Sequence, residues 1–245
     1  MDAVLVVVVM SATLLAAALT VPAGFGLATM LTPIMLLWLD PHLAIAAVAV
    51  IHAAHNGWKL VLLKTHLDVT AVKRYGWAMV LGALIGASMS TSIDQKPLLI
   101  VVGFALILLP LLSATERWTS YRLPEAEDRW GGFGSGLMGG LTGHQGALRA
   151  MFLQRRLPDK SVYAATAALL ALIVDLSRLP VYLYSDGSEL VEYLPLIGGS
   201  VLCAIIGVHL GKRWLIQWKK TNIRTMILCG IVASGFLYII EGFRM

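Results

Sequence analysis

Charge is the scarcest ingredient of this chain. Asp, Glu, Lys and Arg make up 13% of its 245 residues, where a soluble globular chain carries about 25%. A water-soluble surface cannot be built from so few. Cysteine is almost missing as well: Cys203 and Cys229 each lie inside an apolar run, which excludes a disulfide framework and a cysteine-held metal. Enzyme motifs of soluble folds are lacking too. There is no phosphate-loop lysine and no dinucleotide fingerprint. In Gly132-Phe-Gly-Ser-Gly136 the glycines do not stand two residues either side of Ser135, as a nucleophile elbow requires.

What is present is apolar from end to end. Residues of the set AVILMFWYC reach 58% and the mean hydropathy is +0.79, so the expectation is a polytopic membrane protein of all-α class. The formal charge of +5 sits in loops between spans and reports topology rather than nucleic-acid binding. Val4–Leu19 is similar to a signal sequence. No Lys or Arg precedes it, however, and it merges into Pro22–Gly26, so it is taken as part of the mature fold.

A bilayer core of about 30 Å takes about 20 helical residues. Apolar runs of that order are 43–63, 75–92, 97–113, 161–184, 193–210 and 223–243. Two further runs, 3–39 and 130–153, are unusual. The first is too long for one helix and is interrupted by Pro22, Gly24 and Gly26; the second is crowded with glycine from Gly131 to Gly146. Neither is expected to be a plain helix throughout. If every run crosses once, the loop cations show no bias. If both glycine-broken runs are hairpins, 14 loop Lys and Arg fall on one side and only Lys96 and Arg244 on the other, the bias a cytoplasmic face carries. Each hairpin is then followed by three crossings, which makes the halves inverted repeats. The expected domains are an N-terminal membrane repeat over 1–113, a charged cytoplasmic linker over 114–129 and a C-terminal membrane repeat over 130–245. A shift of 117 residues aligns Gly26 with Gly143, Leu31 with Leu148, Leu36 with Leu153 and Pro41 with Pro158.

Broken helices persist in hydrocarbon only where protein or a wet cavity satisfies the freed backbone groups. A helix N-terminus presents free N–H groups and about half a positive charge to an anion. Pro22–Gly26 leads into a helix expected from about Leu27, and Gly139–Gly146 into one expected from about Ala147; both N-termini can face one anion. Gly24, Gly26, Gly143 and Gly146 are therefore candidate binding residues, with Thr29, His144 and Gln145 as side-chain donors. Arg149 lies one turn beyond the second break, where it either binds the anion or snorkels to the interface. Arg178 has Asp175 three residues earlier on the same face, so it either pairs or binds substrate, or does both. Gly82, Gly86 and Gly207 are expected to serve helix packing only. His52 and His55 share a helix face, but no Asp, Glu or Cys lies beside them in the sequence, and neither a metal site nor any cofactor is expected. Tryptophans near span ends, such as Trp58, Trp77 and Trp130, suit an interfacial belt.

The stretch Pro22–Pro33 followed by Leu39-Asp-Pro-His-Leu-Ala44, and the later Gly134–Gly146 followed by Leu157-Pro-Asp-Lys-Ser-Val-Tyr-Ala164, resemble the sulfite exporter TauE/SafE family over nearly the whole chain. The first glycine cluster is here reduced to Gly24-Phe-Gly26, and the second carries His144 and Gln145 where small residues are common in the family. The resemblance implies a transporter of small sulfur-containing anions such as sulfite or organosulfonates. The resulting expectation is a multi-pass protein of the cell (plasma or inner) membrane, not an enzyme. It would export its anion by alternating access, with the coupling proton and oligomeric state open. The alternatives are a proton or metal-cation transporter, or a membrane enzyme, using His52 and His55.

Overall fold

Ten helices account for nearly all of the structure, a computed structural model that describes residues 3–114, 127–217 and 220–244; among these residues there is no strand. They are α1 Ala3–Ala23, α2 Leu27–Met35, α3 Pro41–Leu63, α4 Val69–Ser90, α5 Gln95–Ala114, α6 Glu127–Thr142, α7 Gln145–Arg156, α8 Lys160–Leu190, α9 Leu194–Gln217 and α10 Lys220–Arg244. Three segments, Ala3–Ala23, Pro41–His66 and Lys160–Trp214, are long and apolar enough to cross a membrane. The outward faces agree. Val101, Phe104 and Leu108 of α5 and Phe236, Ile240 and Phe243 of α10 are all exposed, contiguous apolar surface that water would penalise. Helix starts are set locally: Asp68 accepts from Ala71 N–H at 2.9 Å, and Asp159 accepts from Ser161 and Val162 N–H at 2.8 and 2.9 Å. Both are N-caps that satisfy otherwise orphaned donors.

Both expected breaks are present, and they are short. Between α1 and α2 the chain passes through Gly24 at φ +78° and Gly26 at φ +115°; between α6 and α7 it passes through Gly143 at φ +85°. These are left-handed conformations in which a Cβ is strained. Gly146, expected from the sequence to serve the same purpose, lies inside α7 instead, since that helix starts at Gln145 rather than near Ala147. The glycine-rich run is also less broken than its composition suggests. Gly131 to Gly140 lie within the continuous helix α6.

The glycines of α6 are a packing device. A Cβ on Gly136 would collide with the Met79 carbonyl and one on Gly140 with the Ala83 carbonyl, while one on Gly132 would lie 2.8 Å from the Tyr75 oxygen. Gly82 and Gly86 reciprocate against the α6 backbone at Phe133 and Leu137. So α4 and α6 meet backbone to backbone, as small residues permit in membranes. The same logic joins α1 to α9, where a Cβ on Gly207 would lie 2.6 Å from the Leu14 oxygen, and α5 to α10, where Gly103 faces the Gly235 oxygen at 2.7 Å. The remaining long helices, α3 and α8, pair with each other. Because Gly82 abuts main chain rather than a yielding side chain, Gly82→Ala is expected to cost about 1–3 kcal/mol, the range for overpacking. Gly198→Ala, with nothing within 4 Å of the added carbon, should leave thermal stability unchanged or raise it slightly. Melting of the two purified variants checks this contrast.

The basic connections meet at one end of the bundle. Asp68 N–H donates to Thr166 Oγ1 at 3.0 Å, Lys212 Nζ to the Leu62 carbonyl at 3.5 Å, and Arg156 Nε to Asp128 Oδ1 at 3.0 Å. The last bond ties the end of α7 to the start of α6, so that these two helices form a hairpin. Arg129 lies over the Trp77 ring, 5.9 Å from its centre, and adds the start of α6 to the same end. Arg117, Arg122, Lys219, Trp118 and Trp218 lie outside the described residues, as does most of the 114–129 linker.

Candidate functional site

The two breaks touch. A Cβ on Gly146, in the first turn of α7, would lie 2.8 Å from Phe25 Cβ and 3.5 Å from the Gly26 nitrogen. The N-terminus of α7 therefore abuts the N-terminus of α2. Neither start is closed by a side chain: Gly26 has none, and the N-cap His144 makes no capping bond. Two sets of amide donors and two positive helix ends consequently lie together in the protein interior. Tyr163 of α8 packs so tightly on Gly24 that any side chain there would overlap its ring.

A buried polar network surrounds this meeting point. Asp175 of α8 is its centre. Its Oδ2 pairs with His52 Nδ1 of α3 at 2.6 Å, and its Oδ1 accepts from Arg178 Nε at 3.1 Å, Arg178 Nη2 at 2.8 Å and Gln145 Nε2 at 3.3 Å. The pairing of Asp175 with Arg178 expected from their spacing is thus present, with both side chains wholly buried. The carboxylate missing from the sequence neighbourhood of His52 is supplied from 123 residues away. Arg178 also donates through Nη1 to the Gly139 carbonyl at 2.5 Å, and Tyr182 Oη donates to the Gly140 carbonyl. The Gly139 carbonyl also accepts from Gly143 N–H at 2.8 Å, so Arg178 adds a second donor to a carbonyl of the last turn of α6, and Tyr182 serves the next carbonyl.

Arg149 reaches in the other direction. It is 1% exposed, which removes the snorkelling alternative. Its Nη1 donates to Gln145 Oε1 at 3.2 Å and its Nη2 reaches the Gly24 carbonyl at 3.5 Å, while its Nε has no hydrogen-bond partner among the described residues. Gln145 thereby joins Arg149 to Asp175. His144 sits edge-on to Tyr238, ring centres 5.0 Å apart, with Nδ1 3.1 Å from Thr142 Oγ1 and Nε2 unpartnered. Thr142 and Thr32 return their hydroxyls to their own helices, at 2.9 and 2.8 Å. The Thr29 carbonyl accepts from Ser234 Oγ at 2.7 Å. Gly24, Gly26, Gly143, His144, Gln145, Gly146, Arg149 and Arg178 thus gather around one point, with Thr29 two residues into α2.

Reading 43–63 as a plain apolar span misses Lys59, which is 1% exposed. It stands at i+7 from His52 and i+4 from His55, so its position on the polar face of α3 is the signal that could have found it. Around the breaks the buried charges are two cations, Arg149 and Arg178, against one carboxylate, Asp175, while Lys59 is buried elsewhere along α3. Asp175 is already committed to Arg178. Among the described residues no group of three His, Cys, Asp or Glu is placed to hold a metal.

An interior with surplus positive charge beside two open helix N-termini is suited to hold a small anion. A sequence model of the family described as Sulfite exporter TauE/SafE matches residues 9–238. The chain belongs to the TauE/SafE family. It is accordingly a membrane protein of a transporter family, as its apolar helices also indicate. No curated protein and no solved structure matches the sequence. The matched region contains both breaks and the buried Lys59, Arg149, Asp175 and Arg178.

Proposed function

We propose that this TauE/SafE member is a secondary transporter of a small sulfur-containing anion such as sulfite or an organosulfonate, bound where the two helix breaks meet. The observation that carries the reading is the junction of the two uncapped N-termini beside Arg149, a buried guanidinium that hydrogen-bonds to no carboxylate among the described residues. In this reading Arg149 and the amides of the two breaks are the anion's ligands. His144 and Gln145 shape its pocket, and Gly24, Gly26 and Gly143 supply the left-handed turns. Arg178 holds Asp175 and the end of α6 in place, since its guanidinium is occupied by protein oxygens. An outward direction follows the family's description. Among the alternatives, proton coupling is the one a specific contact favours. That contact is His52 on Asp175, which would place a coupling proton beside the anion.

Alternating access between inverted halves is supported by the helix pairings. Exchanging α1–α5 with α6–α10 turns the α1–α9 pair into the α6–α4 pair and returns α3–α8 and α5–α10 to themselves. A two-fold relation between halves requires that pattern. The gathering of basic loops at one end supports a cytoplasmic assignment for that end in a multi-pass plasma or inner membrane protein.

The test is Gly146→Val. A branched side chain there forces Phe25 and Gly26 away and separates the two N-termini. Sulfite and a simple sulfonate should raise the melting temperature of the wild-type protein by mass action, and the variant should lose that shift, with Gly146→Ala losing part of it. A full shift in Gly146→Val would remove the anion from this junction. Uptake of labelled anions into proteoliposomes, with and without a pH gradient, then separates transport from binding alone.

A further inference from the structure

His144 is buried at the start of α7 with one ring nitrogen occupied and the other open. Thr142 decides which nitrogen carries the proton. Its single hydroxyl hydrogen is donated to the Met138 carbonyl at 2.9 Å, so toward His144 Nδ1, 3.1 Å away, its Oγ1 can only accept. In a neutral imidazole one nitrogen is a donor and the other an acceptor. Nδ1 is therefore the N–H, and Nε2 presents a lone pair. Among the described residues no donor meets that lone pair, although the atom is shielded from solvent.

The ring stands beside the junction of the two breaks. His144 is the N-cap of α7, so its side chain begins next to the amides of the first turn. The two nitrogens of an imidazole point nearly opposite ways, which turns Nε2 away from the end of α6 that Nδ1 holds. On the flank of the ring lies Tyr238 of α10, ring centres 5.0 Å apart and nearly perpendicular. One turn earlier on α10, Ser234 Oγ donates to the Thr29 carbonyl in the first turn of α2 at 2.7 Å. This face of α10 thus runs from the start of α2 to the His144 ring and closes the junction on that side.

We propose that His144 Nε2 accepts a hydrogen bond from the anion itself, so that the site prefers a singly charged oxyanion keeping one acidic O–H, such as O-protonated hydrogensulfite, over an aprotic anion of the same shape. The inference rests on the anion reading above and narrows its substrate class. A buried acceptor without a donor is costly, and a ligand O–H removes that cost. An aprotic anion instead sets an oxygen lone pair against the lone pair of the nitrogen. A site built to hydrogen-bond a ligand hydroxyl rejects the analogue lacking it, because its own polar group is then left unpaired. The amides of the two breaks and the Arg149 guanidinium offer donors only. They attract any oxyanion, and the distinction falls to His144.

Two pairs of probes separate the proton from charge and shape. In mildly acidic buffer hydrogensulfite and chlorate are both pyramidal monoanions, and methylphosphonate and methanesulfonate are both tetrahedral ones. The first member of each pair offers an O–H and the second has none. Affinities are measured by thermal-shift titration of the purified full-length protein. The wild type is expected to bind the protic member at least about ten-fold more tightly in each pair it binds. His144→Phe, which keeps an aromatic ring against Tyr238 and removes both nitrogens, should bring the two members within about three-fold of each other. Thr142→Val leaves the imidazole in place but frees its tautomer, and should also shrink the preference; a ring that only fills space would not respond to it. Equal binding within a pair overturns the proposal, and so does tighter binding of the aprotic member, the result a charged ring donating through Nε2 gives. A preference that survives either variant overturns it too, as does a His144→Phe variant that loses both members alike. In each of those cases anion binding by the wild type stands. A wild type that binds none of the four probes overturns this inference and the anion reading together. Should His144→Phe not be recovered folded, the wild-type ratios and Thr142→Val decide the question.

Discussion

Asp175→Asn is expected to lower the stability of the folded protein by about 3–5 kcal/mol, the usual cost of removing one partner of a buried ion pair. The loss comes from what is left behind. Arg178, wholly buried, would keep its charge with no carboxylate opposite it, and the single oxygen of an amide cannot serve both the Arg178 and Gln145 donors on one side and His52 on the other. Arg178→Gln alone should be severe for the complementary reason: it strands the buried Asp175 carboxylate and removes one of the two donors on the Gly139 carbonyl. Combining Asp175→Asn with Arg178→Gln removes both buried charges, so the double variant should yield more folded protein than either single one. Size-exclusion recovery and melting of the three variants measure this. Additive losses would mean that the two residues contribute independently, against the 2.8 Å contact between them.

The second large effect concerns affinity rather than folding. Replacing Arg149 by Gln removes a guanidinium whose protein partners are one amide oxygen and one carbonyl. A charge-assisted hydrogen bond typically contributes roughly 1.5–3 kcal/mol, and about 1.4 kcal/mol is a factor of ten in affinity. Arg149→Gln should therefore weaken binding of sulfite or a sulfonate by ten-fold or more while the protein remains folded. The folded state should tolerate the change better than it tolerates Asp175→Asn, because no opposite charge is stranded. Titration of the purified variant by thermal shift is the measurement. Affinity within a factor of two of wild type would show that Arg149 is not an anion ligand.

These two residues also separate what kinds of inference each site position allows. Asp175 and Arg178 are three apart on one helix, so their pairing could be anticipated from periodicity alone. Arg149 was ambiguous, because a cation one turn from a break and one and a half turns from Arg155 is within reach of either an interior site or the membrane surface. Its burial, and the Gly24 carbonyl opposite it, come from a helix hairpin more than a hundred residues away.

Much about this chain follows from the order of its residues. The scarcity of charge required an apolar environment, and Gly24, Gly26 and Gly143 located both breaks, since few other residues adopt their left-handed backbone angles. The motifs around them pointed to the family. These are local or compositional properties, and a linear reading captures them. The contact between Gly146 and Gly26, the link from His52 to Asp175, and the alignment of Gly132, Gly136 and Gly140 with the α4 backbone were decided only by the tertiary structure. Each joins segments that the sequence holds far apart, and each depends on how closely two backbones approach. Lys59 lies between the two cases. Its place on the polar face of α3 was written in the sequence, but its burial depends on how α3 packs against α8 and α9. The charge balance of an interior is a sum over all the helices that enclose it, and no single segment carries that sum.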